Sequence, residues 1–169
     1  MNIFLCGFMG SGKSTIGKSL ASDLEIDFID LDDDIQNKNK MSINTIFKKF
    51  SETYFRELET KSLKDICKND NQIVSLGGGT LLREENTKII KSSGVLIYLD
   101  VNEDTVYSRL KNDTSRPLLN VDDKFSVITK KMSERTPIYQ NNADFIVNGN
   151  HNPEKVVNFI KKIINIKKN

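Results

Sequence analysis

Apolar positions along the chain switch between a helical and an extended period, and the switches mark out the elements. Asn2 to Cys6 is a short apolar run that reads as a strand, and Thr15 to Glu25 carries Ile16, Leu20 and Leu24 on one helical face. Asp27 to Asp30 predicts a second strand, and Leu31 to about Lys40 a helix with Leu31 and Ile35 apolar. Ser42 caps a short helix bearing Ile43, Ile46, Phe47 and Phe50. Ser51 to about Cys67 predicts another, with Phe55, Leu58, Leu63 and Ile66 roughly on one side. Gln72 to Leu76 reads as a third strand and Leu82 to Ser92 as a helix. Gly94 to Leu99 is almost wholly apolar, as expected of a strand covered on both faces. Asn102 to Lys111 predicts a helix capped by Asn102 or Asp100, and Phe125 to about Gln140 one whose end Pro137 should disturb. Asp144 to Val147 is the last strand. Asn152-Pro153 opens a final helix with Val156, Val157, Ile160, Ile163 and Ile164 on one face.

Strands alternating with helices imply a three-layer α/β/α arrangement around a parallel sheet. Ligands of such sheets bind beyond the carboxyl ends of the strands. That directs attention to Gly7 to Ser14, Asp30 to Asp34, Gly77 to Gly79 and the loop after Leu99. The longest polar, irregular stretch, about 112–124, reads as a lid. No repeat or linker interrupts the pattern, and 169 residues fit one domain spanning 1–169.

Composition narrows the function classes. A hydrophobic fraction of 37% with 28% charged residues fits a soluble globular protein. A net charge of +2 gives no basis for a nucleic-acid surface, and no apolar run reaches membrane-spanning length. The first strand leaves no room for a cleavable signal, and Cys6 and Cys67 lack metal-like spacing. Free thiols and a cytoplasmic location are therefore expected; a monomer is expected as well. The 25 basic residues include only five arginines, Arg56, Arg83, Arg109, Arg116 and Arg135. Lysine thus supplies the ordinary solvated charge, and arginine is expected where a planar, bidentate donor is needed.

Gly7-Phe8-Met9-Gly10-Ser11-Gly12-Lys13-Ser14-Thr15 matches the phosphate-binding P-loop pattern, between a strand and a helix as the motif requires. The glycines let backbone N–H groups turn inward onto phosphate, aided by the helix N-terminus. Lys13 would reach the β- and γ-phosphates, and the Ser14 hydroxyl would ligate Mg²⁺. Asp30 and Asp32 leave the second strand beside this loop. Asp30 suits a metal, and Asp32, further out, suits a substrate hydroxyl. Asp33 and Asp34 fit ordinary first-turn acids. Arg56 and Glu59 stand three residues apart on one helix, either as a surface pair or as a guanidinium held for a substrate carboxylate. Gly77-Gly78-Gly79 after a strand lets a ligand lie against bare backbone. Arg116 on the lid could stabilise a transferring phosphoryl group, and Arg109 could stack on a base. His151, the sole histidine, reads as a solvated residue.

In combination these motifs resemble the shikimate kinase family. The residues that carry the likeness are the P-loop, the Asp-x-Asp at Asp30 and Asp32, Glu52-x-x-Phe55-Arg56, Gly77-Gly78-Gly79-Thr80, Arg116-Pro117-Leu118-Leu119 and Glu134-Arg135-x-Pro137-x-Tyr139. They follow one another in the family's order and at similar separations; Ser51 stands where the family usually has glycine. The resemblance implies a P-loop fold of the nucleoside-monophosphate-kinase type, with a five-stranded parallel sheet and a mobile lid. It implies transfer of the γ-phosphate of ATP to the 3-hydroxyl of shikimate, a step of aromatic amino-acid biosynthesis, with Mg²⁺. Gly10, Ser11, Gly12, Lys13, Ser14 and Thr15 would hold the ATP phosphates, and Arg109 and Pro153 would flank adenine. Ser14 and Asp30 would serve the metal. Asp32, Arg56, Gly78, Gly79 and Arg135 would hold shikimate, with Lys13, Asp32 and Arg116 as the catalytic set. Arg83 receives no role. The rivals are another small P-loop kinase, acting on gluconate or a nucleoside monophosphate, and a silent nucleotide-binding regulator on the same fold.

Overall fold

The computed structural model describes residues 1–112 and 121–168. Five parallel strands, β1 (Asn2–Cys6), β2 (Asp27–Asp30), β3 (Gln72–Ser75), β4 (Gly94–Asp100) and β5 (Phe145–Asn148), form one sheet in the order β2-β3-β1-β4-β5. Helices α1 (Lys13–Leu24), α2 (Leu31–Asn39), α3 (Ile43–Lys49), α4 (Glu52–Ile66), α5 (Glu84–Ser93), α6 (Glu103–Leu110), α7 (Lys124–Asn142) and α8 (Pro153–Lys168) cover its faces.

The period-2 alternation of β1 decides which layer goes where. Ile3 and Leu5 pack with Ile16 and Leu20 of α1 and Val156 and Ile160 of α8. Phe4 and Cys6 face the opposite layer, with Leu31, Ile46, Leu63, Ile90, Val106 and Tyr139. Both faces are thus dry, as the apolar run of β4 requires: Val95 to Leu99 are all buried. The register pairs Asp30 with Ser75, Ser75 with Leu5 and Leu5 with Ile97. The carboxyl ends of β2, β3 and β1 therefore lie within one residue of level, with β4 running three residues further, and the loops that leave them share one rim.

Three local readings are adjusted. Asn102 rather than Asp100 caps α6, accepting from Thr105 N at 2.8 Å, because Asp100 ends β4 and takes the Tyr98 hydroxyl. A 3₁₀ turn at Thr80–Leu82 precedes α5, which begins only at Glu84. Pro137 does not end α7, which continues to Asn142. Proline removes one donor to the preceding turn, but Met132 before it and Tyr139 after it are both buried. Tertiary packing on each side holds the helical path that local propensity disfavours. Ser51, at the position noted above, caps α4 by accepting from Tyr54 N.

Candidate active site

β1 gives way to the P-loop at Gly7, and α1 starts at Lys13. Gly10 and Gly12 have φ of 74° and 94°, left-handed backbone that a side chain would strain. Lys13 Nζ donates to Gly7 O at 2.9 Å and Phe8 O at 3.0 Å, which holds its ammonium at the loop. Ser11 is buried, and its hydroxyl finds no partner among the described residues. Thr15 is exposed on the first turn of α1. Ser14 Oγ donates to Asp30 Oδ2 at 2.6 Å. The other Asp30 oxygen accepts from Asp32 N at 3.1 Å and caps α2. The P-loop helix and the acidic turn after β2 are thereby tied through one carboxylate.

The three glycines after β3 each meet a different element. A methyl group at Gly77 would fall 2.8 Å from Asp32 Oδ1 and 3.0 Å from Glu59 Oε1. At Gly79 it would lie 2.7 Å from Arg56 Nη1 and 2.8 Å from Arg56 Cζ, so only bare backbone lets the guanidinium sit there. Gly78 O accepts from Arg135 Nη1 and from the Tyr139 hydroxyl, both at 2.6 Å. Three successive residues thus collect Asp32 from α2, Arg56 from α4 and Arg135 from α7.

Glu59 holds this group from beneath. It is wholly buried, accepts from Arg56 Nη1 at 2.9 Å, and takes the Thr80 hydroxyl at 2.6 Å. Of the two outcomes foreseen for Arg56 and Glu59, the surface pair is excluded. Arg56 keeps 13% exposure and a further, longer contact to Glu52 at 3.3 Å. Glu59→Gln removes the charge but keeps the shape, and is expected to cost roughly 1–3 kcal/mol of stability, read as a lower denaturant midpoint at unchanged slope.

Two guanidiniums meet on this rim, Arg56 held by the buried Glu59 carboxylate and Arg135 by Gly78 O, and they offer planar, bidentate donors fit for an anion. The Tyr139 hydroxyl registers the same field. Burial pushes it up to about 12, while Arg135 and Arg56 pull it the other way. It stays protonated, and therefore a donor, across any physiological pH.

Of the remaining candidates, Arg109 donates from the last turn of α6 to Gly10 O at 2.9 Å and toward Gly149 O at 3.5 Å. It joins the P-loop to the segment before α8. Pro153 is exposed at the start of α8 and lines a separate groove with Ser19, Asp23 and Asn152. Arg116, with Pro117, Leu118 and Leu119, lies outside the described residues. Asp34 is structural: it accepts from Ser62 Oγ and pairs with Lys38 at 2.7 Å. His151 packs edge-on against Phe159. Arg83 stands between the 3₁₀ turn and α5; Lys64 holds the Glu85 carboxyl below its ordinary range, and Arg83 adds a smaller pull in the same direction. Sequence reasoning missed Tyr139 as a partner of Gly78. Its position one helical turn after Arg135 was the available signal.

A family model described as shikimate kinase matches residues 9–165. A shikimate kinase from Caldicellulosiruptor bescii is 43% identical over 147 residues, 87% of this chain and 85% of that protein. One from Thermodesulfovibrio yellowstonii is 40% identical over 162 residues, 95% of this chain and 93% of that protein. The solved shikimate kinase from Acinetobacter baumannii, in complex with shikimate, superposes with a TM-score of 0.93 at 30% identity. That match covers 99% of this chain and 94% of the other. The shikimate kinase from Aquifex aeolicus gives a TM-score of 0.86 at 38% identity, over 98% of this chain and 96% of that one. With the sequence matched nearly end to end and the same layers and strands in place, this chain belongs to the shikimate kinase family.

Proposed function

We propose that the protein transfers the γ-phosphoryl group of ATP to the 3-hydroxyl of shikimate, giving shikimate 3-phosphate and ADP. One observation carries the assignment of the parts. Asp32, Arg56 and Arg135 converge on Gly77, Gly78 and Gly79, and the Ser14–Asp30 bond ties that group to the P-loop. A small carboxylate-bearing alcohol meets two guanidiniums with its acid and one carboxylate with its hydroxyl.

In this reading the amides of Gly10 to Thr15 and the Lys13 ammonium cradle the ATP phosphates. Arg109 and the segment at Pro153 flank the base. Arg56 and Arg135 clamp the shikimate carboxylate, and the Gly78 and Gly79 backbone lies along the ring. Asp32 orients the acceptor hydroxyl in line with the γ-phosphorus and takes up its proton. Arg116, assigned on the sequence alone, faces the transferring group.

The donor set also fits Mg²⁺. Ser14 Oγ donates its proton to Asp30, so a hydroxyl oxygen and a carboxylate oxygen stand together, as a hard cation prefers. Among the described residues no group of three or more His, Cys, Asp or Glu could hold a metal. That agrees with an ion completing its shell from phosphates and water. When bound, it neutralises charge between the phosphates. Among the described residues no helix is long and apolar enough to cross a membrane.

The test is ADP release, coupled to a reporter, with Mg-ATP and shikimate, gluconate or nucleoside monophosphates as acceptors. Turnover with shikimate alone is expected, and its loss on chelation. ATP binding without shikimate-dependent ADP release would instead favour the silent regulator, and turnover on gluconate or a nucleotide the rival kinases. Arg56→Lys substitutes a point charge for a planar fork. It is expected to raise KM for shikimate about tenfold with much less change in kcat, because the lost contact serves ground and transition states alike. Equal falls in kcat and kcat/KM would place Arg56 at the chemistry instead.

A further inference from the structure

We infer that Tyr139 is a positioning residue for the acceptor, acting by locking the peptide between Gly78 and Gly79; the inference rests on the functional reading above. The carbonyl side of that peptide is pinned to α7 by the Tyr139 hydroxyl at 2.6 Å. A trans peptide is planar, so its C=O and the following N–H point in opposite directions. Holding Gly78 O toward α7 therefore turns Gly79 N–H away from α7. Among the described residues that N–H meets no acceptor, whereas Gly79 O is taken by Leu82 N and Gly77 O by Thr80 N. It is a donor kept for something else.

A peptide flanked by two glycines turns easily, so its orientation needs an external hold. Arg135 supplies one hydrogen bond to the same carbonyl. In the proposed reaction that guanidinium also answers to the substrate's carboxylate, which can draw it from the carbonyl. Tyr139 is itself uncharged and offers that carboxylate no ion pair. Its ring is 2% exposed and packs at 5.2 Å on Tyr98, so its hydroxyl is fixed by the core rather than by the ligand. Burial also keeps it protonated. The loop thus has a substrate-responsive holder and a permanent one.

Tyr98 provides the comparison. It belongs to the same ring pair, is equally buried, and directs its hydroxyl to Asp100 Oδ1 at 3.0 Å, not to the glycine loop. Tyr139→Phe keeps the ring and deletes the hold. It is expected to raise KM for shikimate about tenfold while kcat and KM for ATP stay within about twofold. Tyr98→Phe is expected to leave all three within about twofold. An unchanged KM in Tyr139→Phe, or equal rises in both variants, overturns the inference, since the hydroxyl would then serve packing alone. A measurement on the unaltered protein covers the case in which Tyr139→Phe does not fold. In nitrogen-labelled protein the Gly79 amide resonance is expected to shift on adding shikimate, and a resonance that stays in place overturns the inference. Wild-type protein that does not turn over shikimate removes the functional reading and this inference together. Active wild type with an unaffected Tyr139→Phe removes the inference alone.

Discussion

Asp32→Asn is expected to lower kcat for shikimate by about 10²–10⁴-fold, the range supplied by a positioned proton acceptor. The substitution is nearly isosteric. It leaves the backbone of α2 in place, where Asp32 N donates to Asp30, and it keeps an oxygen able to bond the substrate hydroxyl. What it loses is the capacity to receive a proton. KM for shikimate is therefore expected to change far less than kcat. Steady-state kinetics at saturating Mg-ATP decide the matter, and near-normal turnover would take Asp32 out of the base role. Its neighbourhood makes the position demanding. The carboxylate lies so close to Gly77 that a methyl group there would meet Oδ1 at 2.8 Å, which fixes it on the acceptor side of the rim.

Lys13→Ala is expected to lower kcat by about 10²–10³-fold, the cost of removing one preorganised charge from developing phosphoryl charge. The loop itself is expected to survive, because its path depends on Gly10 and Gly12 and on the Ser11 N to Phe8 O turn bond rather than on the lysine side chain. Equilibrium binding of shikimate should be unchanged, since Asp32, Arg56 and Arg135 reach the site from other elements. A fall in turnover smaller than fivefold, or an equal loss of shikimate binding, would contradict the assignment. The two variants divide the site: one spares the donor half and the other the acceptor half.

The donor half was legible in the sequence because it is contiguous. One nine-residue run carries the glycines, the lysine and the serine, and the flanking periodicities supply its strand and helix. The parallel sheet was legible for a similar reason, since unbroken apolar runs such as Gly94 to Leu99 need cover on both faces. The acceptor half could be named residue by residue, through motif order, but not assembled. Nothing in the spacing of Arg56 or Arg135 says that each lies against a different glycine of the same loop. That is decided by how α4 and α7 pack on the sheet. Single-element rules failed where tertiary contacts outweigh them. Pro137 should weaken α7, yet buried Met132 and Tyr139 hold it. Tyr139 was passed over because the arginine one turn earlier offered a sufficient reason for the motif. Asp34 is a first-turn acid of α2, as its place in the sequence implies, and it also takes a hydrogen bond from Ser62 of α4 that no single-element rule foresees.

The level register of Asp30, Ser75 and Leu5 has a bearing on how the enzyme comes into being. The phosphate cradle is formed by neighbours in the chain and needs only β1 and α1 beside each other. The acceptor site has no such local precursor. Its members arrive from α2, α4, the loop after β3 and α7, and meet only when strands far apart in order have paired. Contacts of that separation form late and together. Recovery of shikimate turnover during refolding therefore reports completion of the whole sheet, whereas a phosphate-loop signal reports only its first strand.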